Sequence, residues 1–317
     1  MLDSKAITLS QQVAVRPLGP GRFTSVLCPT RLGSLTSTAF GGSCLAIAAS
    51  AAYQQIGENF HLYSISGHFI RPAMTDRKLF CQVENIRNSR SFRTREVRVT
   101  QEADDGLSRL CLIALADFHV EEPRSMAVYS TSPEAMSLPG SHPGRSTPTP
   151  AQAASSTRDL YREIEKFIEI EPLTPSGRGT TEFGQETSSS PSRKLDKPSP
   201  LAIHAERFRA RGPLENEAEQ VSGLVFYMDK GLAYIPALHC GYQPSDASAC
   251  ATLDFALRMF DHEVDIQDWH VTQQRSIVAY NARVYSEGRV WDSRGRLLAC
   301  MTQQTILRPN LGISPRI

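Results

Sequence analysis

The apolar and polar positions of this chain form one layout that occurs twice. In the first half, Phe40-Gly41-Gly42-Ser43 opens an Ala-rich, helix-like run from Cys44 to Ile56. A strand pattern follows from Tyr63 to Pro72, then two long alternating stretches, Ser91 to Gln101 and Leu107 to Val120. The second half repeats the order, with an apolar run from Leu224 to Leu238, a strand from Ala251 to Phe260, and a closing pair, Ser276 to Val290 and Leu297 to Leu307.

Local detail supports the parallel. Arg90-Ser91-Phe92 and Arg275-Ser276-Ile277 each open a strand that leads to a Gly turn, Asp104-Asp105-Gly106 or Ser293-Arg294-Gly295. Such turns between alternating runs mark hairpins. Two copies are too few for a solenoid, so the pattern predicts two fused units, each wrapping a sheet around one helix. Ahead of them, Gln12 to Val15 and Phe23 to Leu27 read as short strands.

Between the halves the composition changes. Residues 123–200 carry 11 of the 20 prolines with many Ser and Thr, a mixture that buries little surface and reads as a linker. Inside it, Thr157 to Ile170 has a helical pattern, with Thr157 as cap and Leu160, Ile164, Phe167 and Ile168 on one face. The expected organisation is an N-terminal unit over 1–122, this linker, and a C-terminal unit over 201–317.

With 317 residues, 40% of them hydrophobic and 21% charged, the chain is globular. Its net charge of +1 supplies no field for nucleic acid or an anionic membrane, and no run approaches the roughly 18 apolar residues of a membrane span. Met1 to Ser10 has no apolar core, so an intracellular location is expected. Pro315-Arg316-Ile317 approximates the peroxisomal Ser-Lys-Leu address, and a cytoplasmic protein with a basic tail is the alternative. The seven cysteines are scattered without a CxxC pair, as buried reduced thiols would be.

Familiar chemistry is absent: there is no GxSxG elbow, Walker loop, dinucleotide fingerprint or HExxH, and the eight histidines are dispersed. No metal or cofactor site is predicted. His68 alternates with Phe69 in a strand and reads as polar packing. Gly41-Gly42 at a helix start could hold a carbonyl oxygen or phosphate on free N–H groups; close helix-to-strand packing would explain the pair equally well.

An ordered set of motifs resembles the type II acyl-CoA thioesterases, double-hotdog enzymes that hydrolyse fatty acyl-CoA. In the first half these are Phe40-Gly41-Gly42, Phe69-Ile70-Arg71-Pro72, Arg90 to Arg95 and Phe118-His119-Val120. In the second they are Arg209 to Leu214, Met228 to Leu232, Ala251-Thr252-Leu253-Asp254, and Gln303 near the end of the last strand. The resemblance spans residues 40–122 and 201–309 and leaves out the linker. It implies an α+β double hotdog, an acyl-CoA substrate, no cofactor, and a water-activating trio at Asp229, Thr252 and Gln303. Strand alternation lets only one of Gln303 and Gln304 face inward, and the resemblance selects Gln303. Gly41, Gly42 and Ser43 would then bind substrate.

The chain departs from the family pattern at Ser43 in place of Gln, Met228 in place of Ser, Ser66 in place of a strand His, and Phe255 in place of His. These changes point to an unusual acyl chain, branched or oxygenated, and to a specialised fatty-acid or secondary-metabolite pathway. A noncatalytic acyl-CoA-binding protein is the alternative from another class, and a hotdog hydratase or dehydratase a third reading. A fused pair of this kind is also expected to associate further through its sheet edges.

Overall fold

Thirteen strands join in one antiparallel sheet in the computed structural model, which describes residues 7–32, 37–137, 160–175 and 202–312. The first-half strands are β1 (Val15–Gly19), β2 (Arg22–Ser25), β3 (His61–Phe69), β4 (Phe80–Asn88), β5 (Phe92–Glu102) and β6 (Ser108–His119). Then come β7 (Met136–Ser137), β8 (Ile168–Pro175), β9 (His204–Ala210), β10 (Ala247–Met259), β11 (His270–Tyr280), β12 (Arg283–Trp291) and β13 (Leu297–Pro309). Their spatial order is β1-β2-β4-β5-β6-β3-β10-β13-β12-β11-β9-β8-β7. Outwards from the seam of β3 and β10, the halves run β3-β6-β5-β4 and β10-β13-β12-β11. The duplicated layout is therefore a duplicated topology, joined where His68 stands opposite Asp254.

Each half contributes one long helix, α2 (Gly41–Tyr53) and α3 (Glu217–Met228), beside the short α1 (Leu9–Val13) and α4 (Ile235–His239). In α2 every residue from Gly42 to Ala52 is buried. Its five buried alanines, with no side chain beyond Cβ, let strands and the other helix approach from all sides. The two helices run antiparallel against each other. At one end the Gly42 N–H meets the Asp229 carboxylate; at the other, Tyr53 Oη donates to Glu217 at 3.0 Å, His61 Nδ1 lies 2.7 Å from the same carboxylate, and His61 stacks on His262.

Four expectations are corrected. Gln12 and Val13 belong to helix α1, because Thr8 and Gln11 form a reciprocal capping box. The run Leu224 to Leu238 is not one helix: α3 starts earlier, where Asn216 accepts from the Glu219 N–H, and stops at Asp229. Gly231 follows at φ 94°, a conformation that breaks the helix, and α4 is a separate turn. Ser276 to Val290 is a hairpin, not a strand, so Arg275 and Ser276 lie within β11. Its two-residue turn places Asn281 and Ala282 at φ 52° and 54° without a glycine.

The fourth concerns the helix expected near 157–170. Thr157 lies outside the described residues, as do Pro315-Arg316-Ile317 and most of the Pro- and Ser-rich stretch. Leu160, Ile164, Phe167 and Ile168 are all buried; among the described residues Leu160 and Tyr161 are helical, Ile164–Lys166 form a 3-10 turn, and from Ile168 the chain extends into β8. The alternation Ile168-Glu169-Ile170-Glu171 fits a strand. Its glutamates pair with Arg209 and Arg207 of β9 while its isoleucines face inward. Residues 160–175 are thus part of the sheet and core.

Candidate active site

Helix α3 ends at Asp229, which caps it, and the turn at Gly231 folds the following loop, residues 229–234, over the sheet. Beneath it, β13 presents alternate residues inward: Met301, Gln303 and Thr305 are buried, while Gln304 is only half-buried. Gln303 Nε2 donates to Asp229 Oδ1 at 2.5 Å, and Thr252 Oγ1 on β10 donates to Gln303 Oε1 at 3.3 Å. With both ends engaged, the amide has one orientation. The structure therefore brings the three residues of the expected trio into one chain of hydrogen bonds.

The start of α2 closes the site from the other half. The Gly42 N–H donates to the Asp229 carboxylate, and a Cβ at Gly41 would sit 2.7 Å from Asp229 Oδ2 and 3.1 Å from the Phe69 ring. At Gly42 it would lie 2.3 Å from the Phe226 carbonyl oxygen. Both glycines are needed for close approach, and the approach delivers a helix N-terminus to a carboxylate. Ser43 is buried one step further on, where its hydroxyl accepts from the Thr30 N–H at 3.1 Å.

Burial pushes the Asp229 pKa up, and the donors from Gln303 and Gly42 bring it partly back, leaving it at about 6 against an ordinary 3.8. This is a carboxylate at neutral pH that accepts a proton more readily than an exposed aspartate would.

The family departures fall in different places. Met228 is buried at the end of α3. Phe255 packs inward against Phe69, their rings 5.7 Å apart, and so helps form an apolar wall beside Gly41. His68 is exposed and is not brought to Asp229. All seven cysteines are free, and Cys44 in α2 has its thiol pushed well up, by burial first and by Cys111 and Asp229 after it.

Sequence reasoning passed over a second polar cluster. Lys230 and Glu206, each 4% exposed, pair at 2.6 Å, and Tyr227 Oη donates to the same carboxylate at 2.5 Å. Burial alone would raise the Glu206 pKa; Lys230 and His204 reverse this and hold it well below the usual range. The Lys230 ammonium also lies 4.4 Å from the Tyr161 ring centroid. A lysine inside the apolar run Leu224 to Leu238 was the available signal, since a buried ammonium requires a counter-charge.

Residues 28–119 match the acyl-CoA thioesterase N-terminal domain, and residues 145–307 match the acyl-CoA thioesterase C-terminal domain. The chain belongs to the acyl-CoA thioesterase family. Gly41 and Gly42 fall in the first matched domain, and Asp229, Thr252 and Gln303 in the second. The chain is similar to acyl-CoA thioesterase 2 of Haemophilus influenzae, with 24% identity over 280 residues, covering 85% of this chain and 87% of the relative. In fold it resembles the acyl-CoA thioesterase II TesB2 of Mycobacterium marinum, with TM-score 0.69, 16% identity and coverage of 97% and 99%. A hot dog fold protein of Alicyclobacillus acidocaldarius gives TM-score 0.65 at 16% identity, covering 96% and 98%. The thioesterase architecture is thus a double hotdog, as the motifs imply. Among the described residues no helix is long and apolar enough to cross a membrane, and no His, Cys, Asp and Glu group suits a metal.

Proposed function

We propose that this thioesterase hydrolyses its acyl-CoA by direct attack of a water held between Asp229, Thr252 and Gln303. The Asp229 carboxylate takes a proton from the water as its oxygen bonds to the thioester carbon. Thr252 and Gln303 fix the water and the base. The carbonyl oxygen gains negative charge and is stabilised by the positive end of the α2 dipole, where the Gly42 N–H is already engaged by Asp229 and the Ser43 N–H by the Phe40 carbonyl. Collapse of the tetrahedral intermediate breaks the C–S bond, and the proton on Asp229 returns to the departing CoA sulfur. The products are a free acid and CoA, with no covalent enzyme intermediate.

The observation that carries this reading is one buried carboxylate, pushed up to about 6, receiving donors from both halves. The working units are proposed as 1–122 and 201–317, with 160–175 completing the second. Free-thiol release from short, medium, long and branched acyl-CoAs tests the reading, with the intact chain run beside Asp229→Asn. Turnover lost in the variant supports it; equal turnover in both would displace the site from Asp229.

A further inference from the structure

Resting on that reading of Asp229, we infer that the acyl site is built for an acyl group carrying a neutral oxygen, a hydroxyl or carbonyl, within a few carbons of the thioester. The interior around the loop 229–234 holds polar atoms that the protein leaves without a partner. Ser286 Oγ, Thr305 Oγ1, Gln274 Oε1 and Tyr161 Oη belong to residues at most 5% exposed, and none makes a hydrogen bond. Each such atom destabilises a fold, and an apolar residue of the same shape would remove the penalty. The halves differ here. Of seven such atoms among the described residues, the N-terminal half holds one, Arg93 Nε.

Their positions point to the reacting centre. Ser286 stands opposite Gln303 in the pairing of β12 with β13, and Thr305 stands opposite Thr252 in the pairing of β10 with β13. The two hydroxyls therefore flank the amide and hydroxyl that attend Asp229. The Gln274 amide donates to the Lys230 carbonyl at 2.6 Å, leaving its oxygen beside Gly231, where a Cβ would be 2.7 Å away. Opposed strand residues have Cβ atoms roughly 5 Å apart, and a step of two residues along a strand is roughly 7 Å. An oxygen reaching these hydroxyls thus sits near carbon 3 to carbon 5 of the acyl chain.

The charge of the group follows from the same cluster. Lys230 is already paired with Glu206 at 2.6 Å, and His204 lies against the same carboxylate, so among the described residues of this cluster the ammonium is not free to hold a second carboxylate. Ser286 and Thr305 can donate to the ligand oxygen, and Gln274 Oε1 can accept from a hydroxyl. A plain methylene chain would leave all of them unsatisfied, a discrimination of about tenfold or more.

The test is calorimetric binding of 2-oxoalkyl thioether analogues of CoA to the intact chain. These keep the carbonyl and contain no thioester. One analogue is plain, and two of equal length carry a hydroxyl at the position of carbon 3 or carbon 5. At least one oxygenated analogue should bind about tenfold tighter than the plain one. Ser286→Ala with Thr305→Val should bring that ratio toward one while the melting temperature holds or rises, because no protein partner is lost. Equal affinity for all three analogues, or a preference that survives the double substitution, would overturn the inference and leave the hydroxyls to buried water. Because the analogues are not hydrolysed, the result stands whether or not Asp229→Asn abolishes turnover.

Discussion

Replacing Asp229 by Asn should stop hydrolysis and stabilise the fold, and both effects have a defined pH dependence. Lifting this carboxyl from 3.8 to about 6 disfavours the ionised fold by about 3 kcal/mol, at roughly 1.4 kcal/mol per pKa unit. The sign follows from proton binding. Between these values the folded state holds the proton more tightly than the unfolded state, so the carboxyl's contribution to stability is fully present below pH 3.8 and is lost as pH rises through about 6. Asparagine does not ionise and can still accept from Gln303. The variant should therefore match the wild type near pH 4 and exceed it by about 2–3 kcal/mol above pH 6, or roughly 5 °C in melting temperature. Thermal unfolding at half-unit pH steps measures this, with kcat/KM from thiol release on the same samples. The wild-type kcat/KM should rise with pH to a plateau above about 6, and the variant should be about 10²–10⁴-fold slower. A stability difference that is the same at pH 4 and pH 7.5, or a variant less stable at pH 7.5, would refute the reasoning.

Three further outcomes follow. Gly42→Ala would force a Cβ against the Phe226 carbonyl oxygen at 2.3 Å, so urea unfolding should show a loss of about 2 kcal/mol or more, with hydrolysis nearly gone as the helix start is pushed from Asp229. Glu206→Gln leaves the Lys230 ammonium buried without its counter-charge, a loss of about 3–5 kcal/mol in denaturant titration; adding Lys230→Met should recover much of it, and purely additive losses would contradict the pairing. Ile168→Ala, in the stretch that composition marks as a linker, should cost about 2–4 kcal/mol because the side chain is fully buried in the core, and a silent substitution would show that β8 contributes little.

Much of the architecture was legible because two periodicities alternate in the same order twice. The turns at Gly106 and Gly295 were readable because glycine holds φ 75° and 77° there. The turn at Asn281-Ala282 was missed because alanine adopts the left-handed region, at φ 54°, without any composition signal. Residues 160–170 carry two competing patterns, a helical spacing of Leu160, Ile164, Phe167 and Ile168 and an alternation from Ile168 onward. Pairing with β9 decides between them, and that partner lies about forty residues away in sequence. Asp229, Thr252 and Gln303 were legible only through resemblance, since each residue alone reads as a helix end or a strand position. The cluster of Glu206, Lys230 and Tyr161 was marked only by a lysine inside an apolar run, because its members come from three separate elements.

The antiparallel helices and the mirrored sheet give the molecule two equivalent corners, and only one is equipped for the proposed chemistry. At the second, Gln54 caps α2 where Asp229 caps α3, and Tyr53 and His61 both engage the Glu217 carboxylate. One corner serves cohesion between the halves, and the other is the proposed site. Its consequence is stoichiometric: a tight inhibitor directed at Asp229 should titrate one site per chain, half the number that the repeated layout would suggest.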